Sequence, residues 1–157
     1  MYYSFMYPYL TYGKVIWGNA PASTLWPIYK LQNIALRMIT NTKRGNSTQN
    51  HSKELRILRL HEIYTFSISI FMYKYLHNMM PPSLDNLFQK NQEIHHYNTR
   101  GASKLRPPKI KTNWADKFIT ATGVRIWNQH SNNIDPKMKL STYKQKIITQ
   151  LISPYHD

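Results

Sequence analysis

The sequence predicts a mainly α-helical fold, because three segments repeat apolar residues at intervals of three and four between polar or proline-bearing stretches. They are residues 24–40, 60–79 and 141–152. That spacing lines one face of a helix.

Taken in order, the chain opens on a dense set of rings, Tyr2, Tyr3, Tyr7, Tyr9, Tyr12 and Trp17. Tyr3, Met6 and Leu10 share a helical face, and Pro8 among them makes this a short helix or one broken near its start. From Ser23 or Thr24, either a suitable N-cap, the stripe Leu25, Ile28, Leu31, Ala35 and Met38 or Ile39 predicts a helix, with Pro27 tolerated in its first turn. NTKRGNSTQNHS has no period and reads as a loop, followed by a short helix over Lys53 to Leu58. Leu60, Tyr64, Phe71, Tyr75 and Met79 predict a long helix, apolar on more than one side and ended by Pro81 and Pro82. A further short helix fits at Ser83. Residues 90–113 read as irregular or extended backbone. Trp114 to Ala121 fits helix and strand equally, and VRIW (124–127) fits a short strand. Ser141 then caps a helix whose stripe is Tyr143 or Lys144, Ile147, Ile148, Leu151 and Ile152, stopped by Pro154.

The 157 residues suit one core of ordinary size. Their charge is one-sided, with 21 Lys and Arg against 7 Asp and Glu, a formal net charge of +14. Residues 1–53 hold six basic side chains and no acid, residues 54–93 four of each, and residues 94–157 eleven basic against three acidic. Many dispersed cations favour a repeating polyanion over a small acidic substrate. There is no cysteine, which removes disulfides, thiol catalysis and thiolate zinc sites. The opening residues lack the positive lead and unbroken apolar core of a secretory signal, and IYTFSISIFMYKYL is too short to span a bilayer. An intracellular protein, in nucleus or cytoplasm and without a membrane partner, is expected.

No residue pattern supports catalysis. The carboxylates are scattered, without the acidic pair that two-metal phosphoryl transfer needs. There is no G-x-S-x-G elbow and no H-E-x-x-H pair, and the adjacent His95 and His96 lack companion ligands, so no metal and no cofactor is expected. The informative stretch is YNTRGASKLRPPKIKT (97–112), with Arg100, Lys104, Arg106, Lys109 and Lys111 and no carboxylate between Glu93 and Asp116. It reads either as a solvated connector or as a nucleic-acid contact, with Tyr97 and Trp114 as bracketing rings. Arg100 and Arg106 are the better anchors, since a guanidinium forks two hydrogen bonds onto one phosphate, and Pro107-Pro108 stiffens the backbone beside them. Trp17, Trp26, Trp114 and Trp127 are each expected in a core.

Several phrases, in order, resemble the region downstream of the polymerase active site in reverse transcriptases of non-LTR retrotransposons, the jockey-like group especially. They are YYSFMYPYLTYGKVIWG, LQNIALRMIT, ELRILRLHEIYTFSISIFMYKYLHNMMPPSL, YNTRG, LRPPKIKT and GVRIWN. The resemblance implies a small helical thumb-like bundle over 1–90, a basic linker over 91–112 and an aromatic and basic C-terminal subdomain over 113–157. It implies a non-catalytic fragment of an RNA-directed DNA polymerase that holds the RNA or DNA backbone, with Arg37 and Arg125 as further contacts and an absent palm domain as packing partner. The aspartate-bearing polymerase signature and an endonuclease domain are absent. Asn33 and Ile34 stand where relatives often carry a basic pair, and Lys111 where Arg is usual. A helical structural or protein-interaction fragment without a nucleic-acid role is the alternative.

Overall fold

The computed structural model describes residues 1–43, 46–93, 101–102, 104–130 and 138–153. Among them the fold is mainly α, a multi-helix bundle without a sheet. The chain divides into two compact units, Met1–Ser67 with Ser141–Asp157, and Ile68–Leu140.

The first unit begins with three short helices, α1 (Tyr2–Phe5), α2 (Tyr7–Thr11) and α3 (Lys14–Trp17). Pro8 takes an early position of α2, where its missing N–H costs nothing. Gly13, at φ +59°, turns the chain into α3. Gly18 then ends α3 against α6, where a Cβ would stand 2.3 Å from Tyr64 Cδ2. Of the expected inward face, Leu10 is buried and Met6 packs against the core, while Tyr3 is exposed and Tyr2 is buried in its place. Tyr7 and Trp17 also pack against the core, and Tyr9 and Tyr12 remain exposed.

Helix α4 (Ala22–Thr40) starts earlier than predicted. Pro21 stands at the N-cap, its carbonyl accepting from Thr24 and Leu25 N–H, and Ser23 and Thr24 lie inside the first turn rather than capping it. Pro27 therefore falls in the second turn and removes one backbone hydrogen bond. The buried stripe also differs: Gln32 and Leu36 are buried, and Leu31 and Met38 are exposed. Gln32 can occupy the core because its Nε2 donates to Tyr2 Oη at 2.8 Å and to the Leu58 carbonyl at 2.9 Å.

Helix α5 (Gln49–Glu54) takes up part of the predicted loop and ends before the predicted Lys53–Leu58 helix is complete. Arg56 at φ +51° reverses the chain, and Ile57 N–H returns to the Ser52 carbonyl at 2.8 Å. Glu62 opens α6 (Leu60–Leu76) by accepting from Arg59 N–H at 2.7 Å, half of a capping box. Ile57, Leu58, Leu60 and Ile63 join Tyr2, Leu10 and Leu36 in one core, with Ile148, Leu151 and Ile152 of α8 (Leu140–Ile152) packed against it. Each fully buried aliphatic side chain there contributes roughly 2 kcal/mol.

The second unit takes the later half of α6, where Ile68, Met72 and Tyr73 are buried. Tyr75 Oη donates to the Asp85 carbonyl and receives Phe88 N–H at 3.2 Å. A single 3-10 turn, Pro82–Leu84, replaces the helix expected at Ser83. VRIW is helical, not a strand: it lies inside α7 (Ile119–His130), whose Ala121 and Val124 are buried and whose Gly123 would place a Cβ 2.8 Å from Met72 Sδ. Among the described residues the expected strands reduce to one antiparallel bridge between Lys90 and Leu105.

Candidate nucleic-acid interface

In the second unit the basic segment is attached through its backbone. Lys104 O accepts from Asn91 N–H at 3.1 Å, Arg106 N–H donates to Gln89 O at 2.8 Å, and Leu105 O accepts from Asn128 Nδ2 at 3.0 Å. Leu105 is 2% exposed and anchors the strip by its side chain. Extended alternation about a buried Leu105 turns its neighbours outward: Lys104 is exposed and Arg106 half-buried.

Pro107 and Pro108 follow and can donate no N–H, so the pairing with residues 89–91 ends there. Shallow grooves lie to either side of this pair. One, of about 330 Å³, is lined by Phe88, Gln89, Arg106, Lys109 and Thr120 among others. The second, of about 380 Å³, is lined by Ile110, Ala121, Arg125, Asn128 and Gln129 with the same prolines. Lys109, Ile110 and Lys111 are exposed beyond them. Thr112 then closes a turn, its Oγ1 accepting from Ala115 N–H at 3.2 Å, and the Trp114 ring stands 74% exposed, contrary to the core position expected for it.

The predicted site residues do not all fall in this strip. Lys104, Arg106, Lys109, Lys111 and Trp114 do. Arg125 belongs to the same unit, but its guanidinium pairs with the Asp116 carboxylate, so its charge is already partly answered. Arg37 lies on α4 of the other unit, where it lines a separate groove with Trp26 and Lys30 and donates from Nη2 to Asn46 O at 3.3 Å. Tyr97 and Arg100 lie outside the described residues.

Besides a buried placement of Lys14 over Trp17, two cation–ring placements on exposed tryptophans were missed in the sequence. Lys117 Nζ lies 5.7 Å from the Trp114 ring centre, and Lys30 Nζ lies 5.5 Å from that of Trp26, itself 54% exposed and stacked on Tyr29. The readable signal is spacing, Trp at i with Lys at i+3 or i+4, which a helical turn brings together.

Among the described residues no three His, Asp or Glu side chains gather where they could hold a metal ion, and no helix is long and apolar enough to cross a membrane. Four described carboxylates have local partners: Glu54 beside His51 at 3.5 Å, Glu62 at the start of α6, Glu93 accepting from Lys90 N–H at 3.1 Å, and Asp116 with Arg125. No protein-family model, curated protein or solved structure matches the chain.

Proposed function

We propose that the chain binds the phosphate backbone of RNA or DNA without reading sequence, through Lys104, Arg106, Lys109 and Lys111, with Trp114 as a stacking ring at the end of the strip. One observation carries the reading: four cations lie within residues 104–111, a run without a carboxylate whose first part is held at Lys104, Leu105 and Arg106 by backbone hydrogen bonds and a buried Leu105. A run of four cations held at its start offers phosphates several positive charges in a short span, with part of the ordering already in place. Its exposed ring accepts any base, since every base has a π-face.

The ordered resemblance to the region downstream of a retrotransposon polymerase supports the same reading. The chain would then be a thumb-like, non-catalytic part of an RNA-directed DNA polymerase, acting in nucleus or cytoplasm. On this reading it holds the duplex or strand, and nucleotide addition belongs to residues this chain does not carry.

The test is fluorescence anisotropy with single-stranded and duplex oligonucleotides across a salt series. Affinity is expected to fall log-linearly with salt, with little dependence on base sequence. Absence of binding to every oligonucleotide at low salt would overturn the proposal.

A further inference from the structure

Helix α4 carries two apolar stripes, and one of them is uncovered. Gln32 and Leu36 face the core, with Leu25, Ile28 and Tyr29 packed beside them. On another side Leu31, Ile34 and Met38 are 58%, 46% and 78% exposed. Their spacing, i, i+3, i+7, is that of a helix-pairing seam. Next to it runs a cationic row, Lys30 and Arg37, seven residues apart, with Trp26 at its start. Trp26, Lys30, Ile34, Arg37 and Met38 line an open groove of about 830 Å³. Arg37 donates from Nη2 to the Asn46 carbonyl, and its Nε is buried without a hydrogen bond among the described residues.

We propose that this outer face of α4 docks an acidic amphipathic helix of a partner protein, its aliphatic row over Leu31, Ile34 and Met38 and its carboxylates against Lys30 and Arg37. Charge selects the occupant. Residues 1–53 contain six Lys or Arg and no Asp or Glu, so the groove sits in a wholly basic stretch of sequence. A second copy of the chain would set Lys30 and Arg37 against the same cations in a molecule of net charge +14. A polynucleotide would answer the cations and Trp26 but leave three aliphatic side chains beside phosphates. Only a partner with an aliphatic row and an acidic row side by side covers both. The site is independent of the Lys104–Trp114 strip, and either assignment can fail without the other.

The test uses the full chain and a fluorescein-labelled helical peptide of about three heptads, with Leu at the seam and Glu on the flanks. Saturable binding is expected, weakened about tenfold or more by Met38→Asp and by Lys30→Glu, and unchanged by Lys109→Ala. The same peptide with Lys flanks is expected not to bind. Because Met38 is largely exposed, Met38→Asp should keep the wild-type thermal transition, and Leu31→Asp provides a second variant if it does not. Failure of the acidic peptide to bind, or binding indifferent to these substitutions, overturns the proposal. So does an oligonucleotide whose affinity, rather than the peptide's, is lost in Met38→Asp and Lys30→Glu. A dimer in sedimentation that Met38→Asp converts to monomer would assign the face to a second copy and overturn it as well.

Discussion

Lys14 and Lys109 are the same side chain held in opposite ways. Lys14 is 1% exposed, its amine 4.0 Å above the centre of the Trp17 ring, with no hydrogen-bond partner among the described residues. Burial lowers its pKa to about 8. Lys109 stands in the open after two prolines that cannot pair with a neighbouring strand. A net charge of +14 therefore overstates what a polyanion can reach. On the proposed reading, the cations that stand outward matter and the total count does not.

Lys14 gives the largest expected effect. Its pKa is about 8 in the folded chain against 10.5 in the unfolded one, so between those values the unfolded state binds more protons and stability rises with pH, by roughly 3 kcal/mol across the window. Tyr2 opposes this at the upper end. Burial raises its pKa from 10.0 to about 12, so stability falls as pH climbs from 10 towards 12. Urea unfolding from pH 7 to pH 10 should show the rise, and Lys14→Met should abolish it while stabilising the protein at pH 7 by roughly 2 kcal/mol. A flat profile in the wild type would remove the contrast with Lys109.

Gly18→Ala comes next, costing roughly 1–3 kcal/mol in the same unfolding assay, because its Cβ would stand 2.3 Å from the Tyr64 ring. In the strip the expected changes are in binding, not stability. Trp114→Ala should weaken oligonucleotide affinity by roughly 1–3 kcal/mol, and thermal unfolding should shift by no more than about 0.5 kcal/mol. Arg125→Ala should have the smallest effect on binding, because Asp116 already pairs with that guanidinium. A loss there as large as at Lys109 would show that the ion pair does not divert the charge.

The sequence was most legible where one physical signal acted alone. Tyr143 and Ile147 lie on the expected face of α8; α6, expected to run to Met79, ends at Leu76, where Asn78 at φ +54° and Met79 N–H on the Lys74 carbonyl close it before Pro81 and Pro82 are reached. Reading failed where tertiary contacts decided between local options. The branched and aromatic run VRIW favours a strand by propensity, yet Gly123 against Met72 and the burial of Ala121 and Val124 place it in a helix. Gln32 falls outside the stripe predicted for α4, and its burial depends on Tyr2 and Leu58, 30 and 26 residues away, which supply its hydrogen bonds. For the site, the charge run and Trp114 were visible in one dimension. The Asp116–Arg125 pair, the burial of Lys14 and the anchoring of Leu105 by Asn128, 23 residues on, depend on the fold.

The most direct test of the strip compares salt dependence in the wild type and in a chain carrying Arg106→Ala, Lys109→Ala and Lys111→Ala together. With a single-stranded oligonucleotide, the plot of log affinity against log salt should lose about 0.7 of slope per cation removed, roughly two units in all. Circular dichroism of the two proteins should match. An unchanged slope in the triple variant would contradict the central claim, because the cations that hold phosphate would then lie elsewhere in the chain.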